Sequence, residues 1–408
     1  MKIAHVVDYF HPNMGYQENH LARIQAGEGH SVLVLTGERL TPWSMNLPSV
    51  RMGDQELKKA GIEIKRLPVL FEYSHRVLLP GIKKALLEFK PDWVHVHGYA
   101  TLNALICASL KKSLSFKLLI DDHMLFGGGK NRFASVFNGL FKHTVSRFLQ
   151  NRADRLVAVS EETKVFMHQI YGIPLKKIET IPLGVDRSVF FPSSKHRQAC
   201  RQKFQVAENE RIVLYTGKMN PDKNPLLLLE AALPLWKKDL EFRLFLLGPA
   251  QPEYLKQMKE FVSQNKLHSR VHFHDTVPTE ELALFFNMAD LAVWPAQSSM
   301  SALEAMSCGC PVILSHSSAN QERTSSGSGL LFSPGNQTEL SLCLEKLIQN
   351  PDIRKEMGQK GIRHTEGLDW KTLAKKFLHL TLTRKTPDFS SPQQKTGKIS
   401  GPGAYGDF

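Results

Sequence analysis

The stretch RIVLYTGKMNPDKNP, residues 211–225, decides the fold of the second half of the chain. An apolar, strand-like run ends at Gly217, a polar turn follows, and a helical pattern begins near 224–236. Four more apolar runs follow, separated by helical patterns: FRLFLLG (242–248), VHFHD (271–275), LAVWP (291–295) and PVILS (311–315). Strands that alternate with helices predict a parallel sheet covered by helices on both faces.

The first half of the chain shows the same alternation. Its predicted strands are KIAHVV (2–7), SVLVLT (31–36), WVHVH (93–97), KLLID (117–121), RLVAVS (155–160) and IETIPL (178–183). Helical patterns lie between them, at 16–28, 80–90, 101–112, 133–150 and 160–171. We therefore expect an α/β protein of two Rossmann-like lobes. Ligands of such sheets bind outside the carboxyl ends of the strands, so we expect a site in the cleft, assembled from both lobes.

The boundary between the lobes is predicted around 186–200, where DRSVFFPSSKHRQAC breaks the pattern with polar and turn-forming residues. The first lobe is therefore assigned to 1–188 and the second lobe to 189–366. A helix follows at 367–384. The tail at 385–408 is rich in Pro, Gly, Ser and Lys, and it is predicted to be disordered.

The composition is that of an ordinary globular protein with a basic excess. The 52 Lys and Arg outnumber the 39 Asp and Glu, for a formal net charge of +13. This favours anionic partners, such as nucleotide phosphates or acidic lipid, although general solubility explains it equally well. Nucleic acid is not an expected partner, because the basic residues form no aromatic-interleaved patch.

Five scattered cysteines indicate reduced thiols in a cytoplasmic protein. No run of about 20 apolar residues predicts a membrane span, and no signal peptide is expected.

The segment WPAQSSMSALEAMSCGCPVILS, residues 294–315, carries the first candidate site. A strand ends there, a polar loop follows with Ser298 and Ser299, and a helix begins near Ser301. Serine hydroxyls and the free amides of a first helical turn make an anion site. Glu304 can accept hydrogen bonds from the vicinal hydroxyls of a ribose. The alternative is structural: Ser299 or Ser301 caps the helix, and Glu304 favours its dipole.

The loop TGKMNPDKNP, residues 216–225, carries the second candidate site. Gly217 permits a tight turn, and Lys218 and Lys223 can converge on one diphosphate, whose charge grows as it leaves. The alternative is a solvated lysine pair. Gly15 lies in the loop after the first strand, where such lobes bring their backbone closest to phosphate; a plain turn is its alternative.

Two strand ends in the first lobe carry histidines that point to the cleft. His97 ends the strand WVHVH, and His123 follows the strand KLLID. We expect His123 to contact a transferred sugar or an acceptor hydroxyl. His95 is expected to point away from His97 and to pack in the core. Asp121 and Asp122 look like a metal-binding pair, but no partner acid lies nearby in sequence, and we interpret them as structural.

The segment RFASVFNGLFKHTVSRFLQNR, residues 132–152, is predicted to form a helix with an aromatic stripe beside basic residues. Such a helix can lie on an anionic membrane surface and present the cleft to a lipid-linked acceptor. The alternative is a helix that faces the core with one solvated basic face.

Taken together, the chain resembles glycosyltransferase family 4, a retaining group with the GT-B fold of two facing Rossmann-like lobes. Order and spacing agree over most of the chain. The motifs that carry the resemblance are HVVDYFHPNMGYQENHLA, ADRLVAVSEET, IPLGVDRSVF, YTGKMNPDKN, LEAMSCGCPVI, GLLFSPGNQTEL and DWKTLAKKFL.

The resemblance implies a transferase that uses a nucleotide-sugar donor, UDP- or GDP-linked, without a metal ion or other cofactor. Lys218 and Lys223 stand at the pair that grips the donor diphosphate, and Glu304 stands at the ribose-binding glutamate. The segment around Thr276 and Val277 matches the loop that reads the base, and a helix near 369–383 returns to the first lobe. The expected catalytic residues are His123, Lys218 and Lys223. The expected donor-binding residues are Gly15, Gly217, Thr276, Val277, Gln297, Ser298, Ser299, Met300, Ser301 and Glu304.

Three positions depart from the family pattern. Ala296 stands where the first glutamate of the Glu, seven residues, Glu signature is expected, so a contact to the donor sugar is missing. Tyr16 replaces a loop glycine, and Leu183 replaces an asparagine. Gln297 and Ser298 can substitute for the lost glutamate. Otherwise the donor is unusual, or the protein binds nucleotide sugars without turning them over.

The implied acceptor is a saccharide or a lipid-linked saccharide, and the implied setting is cell-surface polysaccharide or lipopolysaccharide synthesis on the inner face of the cytoplasmic membrane. In retaining enzymes of this type the acceptor attacks from the face that the leaving phosphate departs from. Positioning and electrostatics supply the catalysis. A nucleic-acid binder and a UDP-sugar epimerase of similar architecture are rival readings that explain the motifs less completely.

Overall fold

The computed structural model describes residues 1–40, 47–73, 76–125, 139–296 and 300–382. The predicted disordered tail at 385–408 lies outside these residues, and so do Gln297, Ser298 and Ser299. Part of the predicted aromatic helix at 132–152 lies outside them too.

The described part of the first lobe is built on a seven-stranded parallel sheet. Its strands, with the antiparallel pair β4 and β5, are β1 (Lys2–Val7), β2 (Ser31–Gly37), β3 (Ile62–Leu67), β4 (Phe71–Tyr73), β5 (Arg76–Leu78), β6 (Trp93–His97), β7 (Lys117–Asp122), β8 (Arg155–Ala158) and β9 (Ile178–Thr180). Its helices are α1 (Gln17–Gly27), α2 (Leu47–Lys59), α3 (Ile82–Phe89), α4 (Leu102–Leu114), α5 (Val145–Arg152) and α6 (Glu161–Tyr171). The strand order is β3-β2-β1-β6-β7-β8-β9.

The second lobe has a six-stranded parallel sheet in the order β12-β11-β10-β13-β14-β15. Its strands are β10 (Arg211–Thr216), β11 (Phe242–Leu247), β12 (Val271–His274), β13 (Leu291–Trp294), β14 (Val312–Ser315) and β15 (Gly329–Phe332). Its helices are α7 (Ser194–Lys203), α8 (Pro225–Lys237), α9 (Pro252–Gln264), α10 (Thr279–Met288), α11 (Ser301–Ser307), α12 (Ser318–Arg323), α13 (Gln337–Gln349) and α14 (Pro351–Glu366), and α15 (Trp370–Leu382) follows. The predicted α/β architecture of two parallel sheets is therefore confirmed.

Burial explains why the strands read as continuous apolar runs. Every residue of β6 and of β8 is buried, because helices cover both faces of the sheet. The chain order reverses beside β1 in the first sheet and beside β10 in the second. Such switch points leave a crevice outside the carboxyl ends of the strands, which is where α/β proteins bind their ligands.

The last helix, α15, joins the two halves of the chain. Trp370, Leu373 and Phe377 form one buried cluster with apolar side chains of the first lobe, among them Leu21. The crossing is close at Gly184, where a Cβ atom would lie 2.7 Å from the Trp370 ring and 2.8 Å from the Leu368 carbonyl oxygen. The sequence needs a glycine there because any side chain would push α15 away from the first lobe.

The aromatic stripe predicted in 132–152 is described only in part. Helix α5 begins at Val145, and residues 139–143 are also helical. Phe141 and Phe148 pack against the core of the first lobe, which favours the core-facing alternative for these two rings. Among the described helices, none combines the length and the apolar character that crossing a bilayer requires.

Candidate functional site

A cavity of about 560 Å³ lies at the switch point of the first lobe. Its walls come from the ends of β1, β6 and β7, from the start of α1, and from Met300 across the cleft. His97 and His123 both line it, as the sequence predicted from their places at strand ends. The structure thus brings His123 and Met300 to one cavity, although they lie in different lobes.

A second cavity, of about 380 Å³, lies at the carboxyl ends of β10, β13, β14 and β15. Asn224 of the lysine-bearing loop, Ala296 and Arg323 line it, and Leu125 reaches it from the first lobe. The departure from the family pattern at Ala296 therefore faces open space and not the packed core.

Two glycines and two hydrogen bonds to backbone atoms shape the lysine-bearing loop, residues 216–225. Gly217 has φ +147° and Gly248 has φ +136°, in the region that favours glycine. A Cβ atom on Gly248 would collide with the Gly217 backbone, so the two loops can approach only because residue 248 is a glycine. The Tyr215 hydroxyl donates to the Lys218 carbonyl oxygen at 2.7 Å, and the Lys223 amide donates to Asn220 Oδ1 at 3.0 Å.

The two lysines share a positive environment. The pKa of Lys223 is lowered by burial and by the positive charges of Lys218 and Arg323. Lys218 and Arg323 therefore lie near enough to Lys223 to act on its charge, and the convergence of the two lysines on one diphosphate stays a prediction. Sequence reasoning missed Arg323 because it lies 100 residues further along the chain, at the end of α12, and only the sheet order brings it to the loop.

The helix α11 begins at Ser301, as predicted, with Met300 at the N-cap position and no side-chain cap there. Ser301 is the first helical residue, so it is not the cap that the structural alternative required. Burial raises the pKa of Glu304 to about 8. A carboxyl group that is protonated at neutral pH gains little from a helix dipole, so the dipole alternative is also weakened.

The other residues predicted to bind the donor lie in loops. Thr276 is exposed and Val277 is half-buried in the loop between β12 and α10. Gly15 has ordinary space around it: a Cβ atom would lie 3.6 Å from His20 Nε2. The structure gives no packing reason for this glycine.

The histidines of the first lobe form a buried array around Asp121. His95 Nε2 and His97 Nδ1 each lie 2.9 Å from Asp121 Oδ2, and His5 Nδ1 lies 3.0 Å from His97 Nε2. The expectation that His95 points away from His97 is wrong, because residues two apart in a strand share a face. Their rings stack at 4.1 Å. His95 is buried, as expected.

These side chains also define where a cation would find ligands. Ligand atoms of His5, His95 and His97 lie within 4.8 Å of one another, and so do those of His97, Asp121 and His123. Hydrogen bonds within the array already engage His5, His95 and His97 with Asp121, with one another or with Gln25.

Two more carboxyl groups beside the first cavity are tuned by burial. Burial raises the pKa of Asp8 and of Asp122 to about 6 in each case. Asp8 accepts from the Asn103 side-chain amide at 2.7 Å and from the Val77 amide at 3.3 Å. Asp122 lines the cavity beside His123, whereas Asp121 lies buried behind it, and the interpretation of the pair as structural stays a prediction.

Two family models match the chain, one in each lobe. The Glycosyltransferase Family 4 model matches residues 19–189, and the model of glycosyl transferases group 1 matches residues 196–364. Among curated proteins, the D-inositol 3-phosphate glycosyltransferase of Paenarthrobacter aurescens is 30% identical over 230 residues, which is 54% of this chain and 55% of that protein. The chain spans about half the length of the curated relatives it matches.

Solved structures match over nearly the whole chain. Anabaena HepE in complex with UDP has a TM-score of 0.75 at 17% identity, covering 93% of this chain and 99% of that one. A glycosyltransferase of Rickettsia africae also has a TM-score of 0.75, at 18% identity, covering 93% and 97%. WaaG, a glycosyltransferase involved in lipopolysaccharide biosynthesis, has a TM-score of 0.64 at 18% identity, covering 94% and 100%. At these identities the likeness shows a shared fold, the GT-B fold.

Proposed function

We propose that this chain, whose two halves are glycosyltransferase domains in a GT-B arrangement, transfers a sugar from a nucleotide-sugar donor to a saccharide or lipid-linked acceptor. The observation that carries the proposal is the group of cations at the end of β10. Lys218, Lys223 and Arg323 come together beside a cavity that the first lobe also reaches through Leu125. A diphosphate is the anion that such a group fits.

In the proposed complex the donor spans the second lobe. Lys218 and Lys223 hold the diphosphate, and the start of α11 faces it from the other side. Glu304 binds the ribose hydroxyls, and the loop at Thr276 and Val277 contacts the base. One solved structure of HepE contains UDP, and another contains UDP-glucose. These complexes support a nucleotide sugar as the donor of this chain.

The proposed reaction retains the configuration of the transferred sugar. The acceptor hydroxyl attacks from the face that the diphosphate leaves, and a phosphate oxygen takes the proton of that hydroxyl. Negative charge grows on the leaving diphosphate, where the lysine ammoniums stabilise it more strongly than they stabilise the bound donor. In this proposal side chains balance the charge, so the reaction needs no metal ion. Closure of the lobes excludes water and so suppresses hydrolysis of the donor.

The test begins with the purified protein and a panel of UDP-, GDP- and ADP-linked sugars. Native mass spectrometry identifies any co-purified nucleotide, and thermal shifts rank the base and then the sugar. Incubation with candidate acceptors then shows transfer by the mass of the product, and the anomeric configuration is read by NMR. Failure of every nucleotide sugar to bind would overturn the proposal.

A second function has one observation in its favour. Ala296 lines the second cavity at the position of the expected glutamate, so one contact to the donor sugar is lost. A protein of this fold that binds nucleotide sugars without transferring them fits that loss. Binding without hydrolysis or transfer over the whole acceptor panel distinguishes this alternative from the enzyme.

The proposed setting is the cytoplasmic side of the membrane, in the synthesis of cell-surface polysaccharide or lipopolysaccharide, with the protein attached peripherally. The basic excess of the chain supports attraction to an anionic leaflet. Flotation with vesicles of anionic lipid at low salt tests the attachment. Protein that stays at the bottom of the gradient contradicts it.

A further inference from the structure

The carboxylate of Asp121 lies buried beneath the first cavity, at the end of β7. Its Oδ2 atom accepts hydrogen bonds from Gln17 Nε2 at 2.5 Å, from His95 Nε2 at 2.9 Å and from His97 Nδ1 at 2.9 Å. A carboxylate with three side-chain donors on one oxygen is fixed in both position and orientation.

The other oxygen of this carboxylate faces Gly98 and His123. Asp121 Oδ1 accepts from the Gly98 amide at 3.3 Å and lies 3.7 Å from His123 Nε2, an ion-pair distance. The His123 side chain is 40% exposed, whereas that of Asp121 is fully buried. The pair therefore joins a buried anchor to a ring that reaches the cavity.

The charges of the array are consistent with an ionised Asp121. Burial opposes ionisation, but His97 and His95 outweigh it and hold the pKa of Asp121 well below its usual range. The pKa of His95 is lowered to about 4, first by burial and then by His97, so its ring is neutral and donates through Nε2. Three hydrogen-bond donors thus replace the water that a buried carboxylate has lost.

The array continues inward through His5. His97 Nδ1 donates to Asp121, and on the other side of the ring His97 Nε2 lies 3.0 Å from His5 Nδ1. His5 is itself neutral, because burial and the neighbouring His97 lower its pKa well below the ordinary value. Its Nε2 donates to Gln25 Oε1 at 2.8 Å. The contacts with His97 and Gln25 thus fix the ring of His5 beneath the array.

We propose that Asp121 is a positioning residue for His123, and that the buried rings of His95 and His97 keep it in place for that task. The Asp121 carboxylate holds His123 with Nε2–H toward the protein and Nδ1 toward the cavity. The inference rests on the proposed transfer reaction, in which His123 contacts the transferred sugar or the acceptor hydroxyl.

This orientation makes His123 sensitive to pH. Burial would lower its pKa, but the Asp121 carboxylate at 3.7 Å, with the charges of Glu18 and Asp122, raises it. Below that pKa, Nδ1–H donates into the cavity; above it, the bare Nδ1 accepts. The ring therefore changes from donor to acceptor as the pH rises through its pKa, while the Nε2 side stays bound to Asp121.

The test uses the Asp121→Asn variant of the full chain. Loss of the carboxylate charge is expected to lower the pKa of His123, measured by NMR of its ring protons, and to move the acidic limb of the kcat profile to lower pH. We expect kcat to fall by about tenfold or more, the scale seen when an outer partner of a functional histidine is lost. The KM for the donor should change little, because the lysine-bearing loop lies in the other lobe.

Asp154→Asn is the matched control. Asp154 accepts from the Leu118 amide and from Lys111 near the other end of β7, away from the cleft. It should reproduce any general loss of stability without moving the pKa of His123 or kcat. A double-mutant cycle adds a second control: in a His123→Asn background, Asp121→Asn should have no further effect on kcat. A full tenfold loss in that background would show that Asp121 acts elsewhere.

A measurement on the unmodified protein covers the case in which Asp121→Asn fails to fold. Two-bond ¹H–¹⁵N correlation of ¹⁵N-histidine protein above the pKa of His123 should show its proton on Nε2. A proton on Nδ1 overturns the inference, even if nucleotide sugars bind and react. Conversely, if no nucleotide sugar binds, the proposed reaction fails, while the Nε2–H tautomer would still establish the positioning contact.

Discussion

The carboxylate of Glu162, in the first turn of α6, accepts a hydrogen bond of 2.9 Å from the backbone amide of Ala319, in the first turn of α12 of the opposite lobe. The contact is reciprocal, because Glu322 of α12 accepts from the Glu161 amide of α6 at 3.3 Å. Each helix thus supplies a carboxylate to the positive end of the other. The reciprocal contact joins the lobes beside the second cavity, where Ala319 and Arg323 lie.

Removal of this contact should loosen the lobes. Glu162→Ala leaves the Ala319 amide without its acceptor, and a hydrogen bond to a charged group is worth about 1.5–3 kcal/mol. We expect the open population to grow about tenfold, measured by single-molecule FRET between labels on the two lobes, and the KM for the donor to rise.

The matched control for the lobe contact is Glu161→Ala. The Glu161 side chain accepts from the Thr180 hydroxyl within the first lobe, and its contribution to the reciprocal contact is a backbone amide that the substitution leaves in place. Equal FRET changes in both variants would show that side-chain loss near the start of α6, and not the bond to Ala319, controls the lobes.

The lysine-bearing loop predicts a charge-dependent loss of donor affinity. Lys218→Gln and Lys223→Gln should each weaken the binding of a nucleoside diphosphate by about 1.5–3 kcal/mol, the range for charged hydrogen bonds. Calorimetry at two salt concentrations should show a smaller salt dependence in both variants. Lys259→Gln, on the exposed face of α9, is the control and should bind as the wild type does. If the double variant Lys218→Gln and Lys223→Gln bound a nucleoside diphosphate as tightly as the wild type does, the proposed function would be wrong.

Glu304 predicts a pH dependence of both stability and binding. Its folded pKa of about 8 lies above the ordinary value of 4.5, so between these values the folded state holds a proton that the unfolded chain has lost. Stability therefore falls as the pH rises from about 5 to 8. Glu304→Gln keeps the neutral form, so its gain in stability over the wild type should grow to about 5 kcal/mol at pH 9, at about 1.4 kcal/mol for each unit of pKa shift, and vanish near pH 4.

The protonation of Glu304 also tests whether this residue contacts the ribose of the nucleotide. If Glu304 accepts hydrogen bonds from the ribose hydroxyls as a carboxylate, nucleotide binding lowers its pKa and releases a proton near neutral pH. Calorimetry in buffers of different ionisation enthalpy measures that release, which Glu304→Gln should abolish. Proton release that persists in Glu304→Gln would assign it to another group.

The sequence predicts the fold well because its signal is local. A buried parallel strand reads as a continuous apolar run, and the helices between strands show their own periodicity, so both sheets follow from the residues alone. The places of His97 and His123 in the cleft also follow, since strand ends meet at one edge of a sheet. The prediction for His95 is wrong only about the face of the strand on which the side chain lies.

Tertiary contacts are what the sequence leaves undetermined. Arg323 reaches the lysine-bearing loop because β14 and the turn after it lie beside β13, an order that no local pattern encodes. The pairing of Glu162 with Ala319 depends on how the lobes meet, and the burial that raises the pKa of Glu304 depends on packing around α11. These features are set by residues distant in the chain, and they are the ones that tune the site.

The approach of Gly217 and Gly248 gives a final prediction, on the backbone of the donor loop. Gly248→Ala adds a Cβ atom that collides with the Gly217 backbone, at a residue whose φ of +136° already strains any other side chain. We expect a loss of about 3 kcal/mol or more in the free energy of unfolding, measured by denaturant titration, since each such strain costs about 1–3 kcal/mol before the collision is added.

Gly29→Ala is the matched control: its φ is +84° and nothing lies within 4 Å of the added Cβ, so it bears the conformational cost alone. Because the collision also displaces the loop that carries Lys218, nucleoside diphosphate affinity should fall in Gly248→Ala and stay unchanged in Gly29→Ala. Equal effects in the two variants would show that conformational strain alone, and not the close contact of the two loops, shapes the lysine-bearing loop.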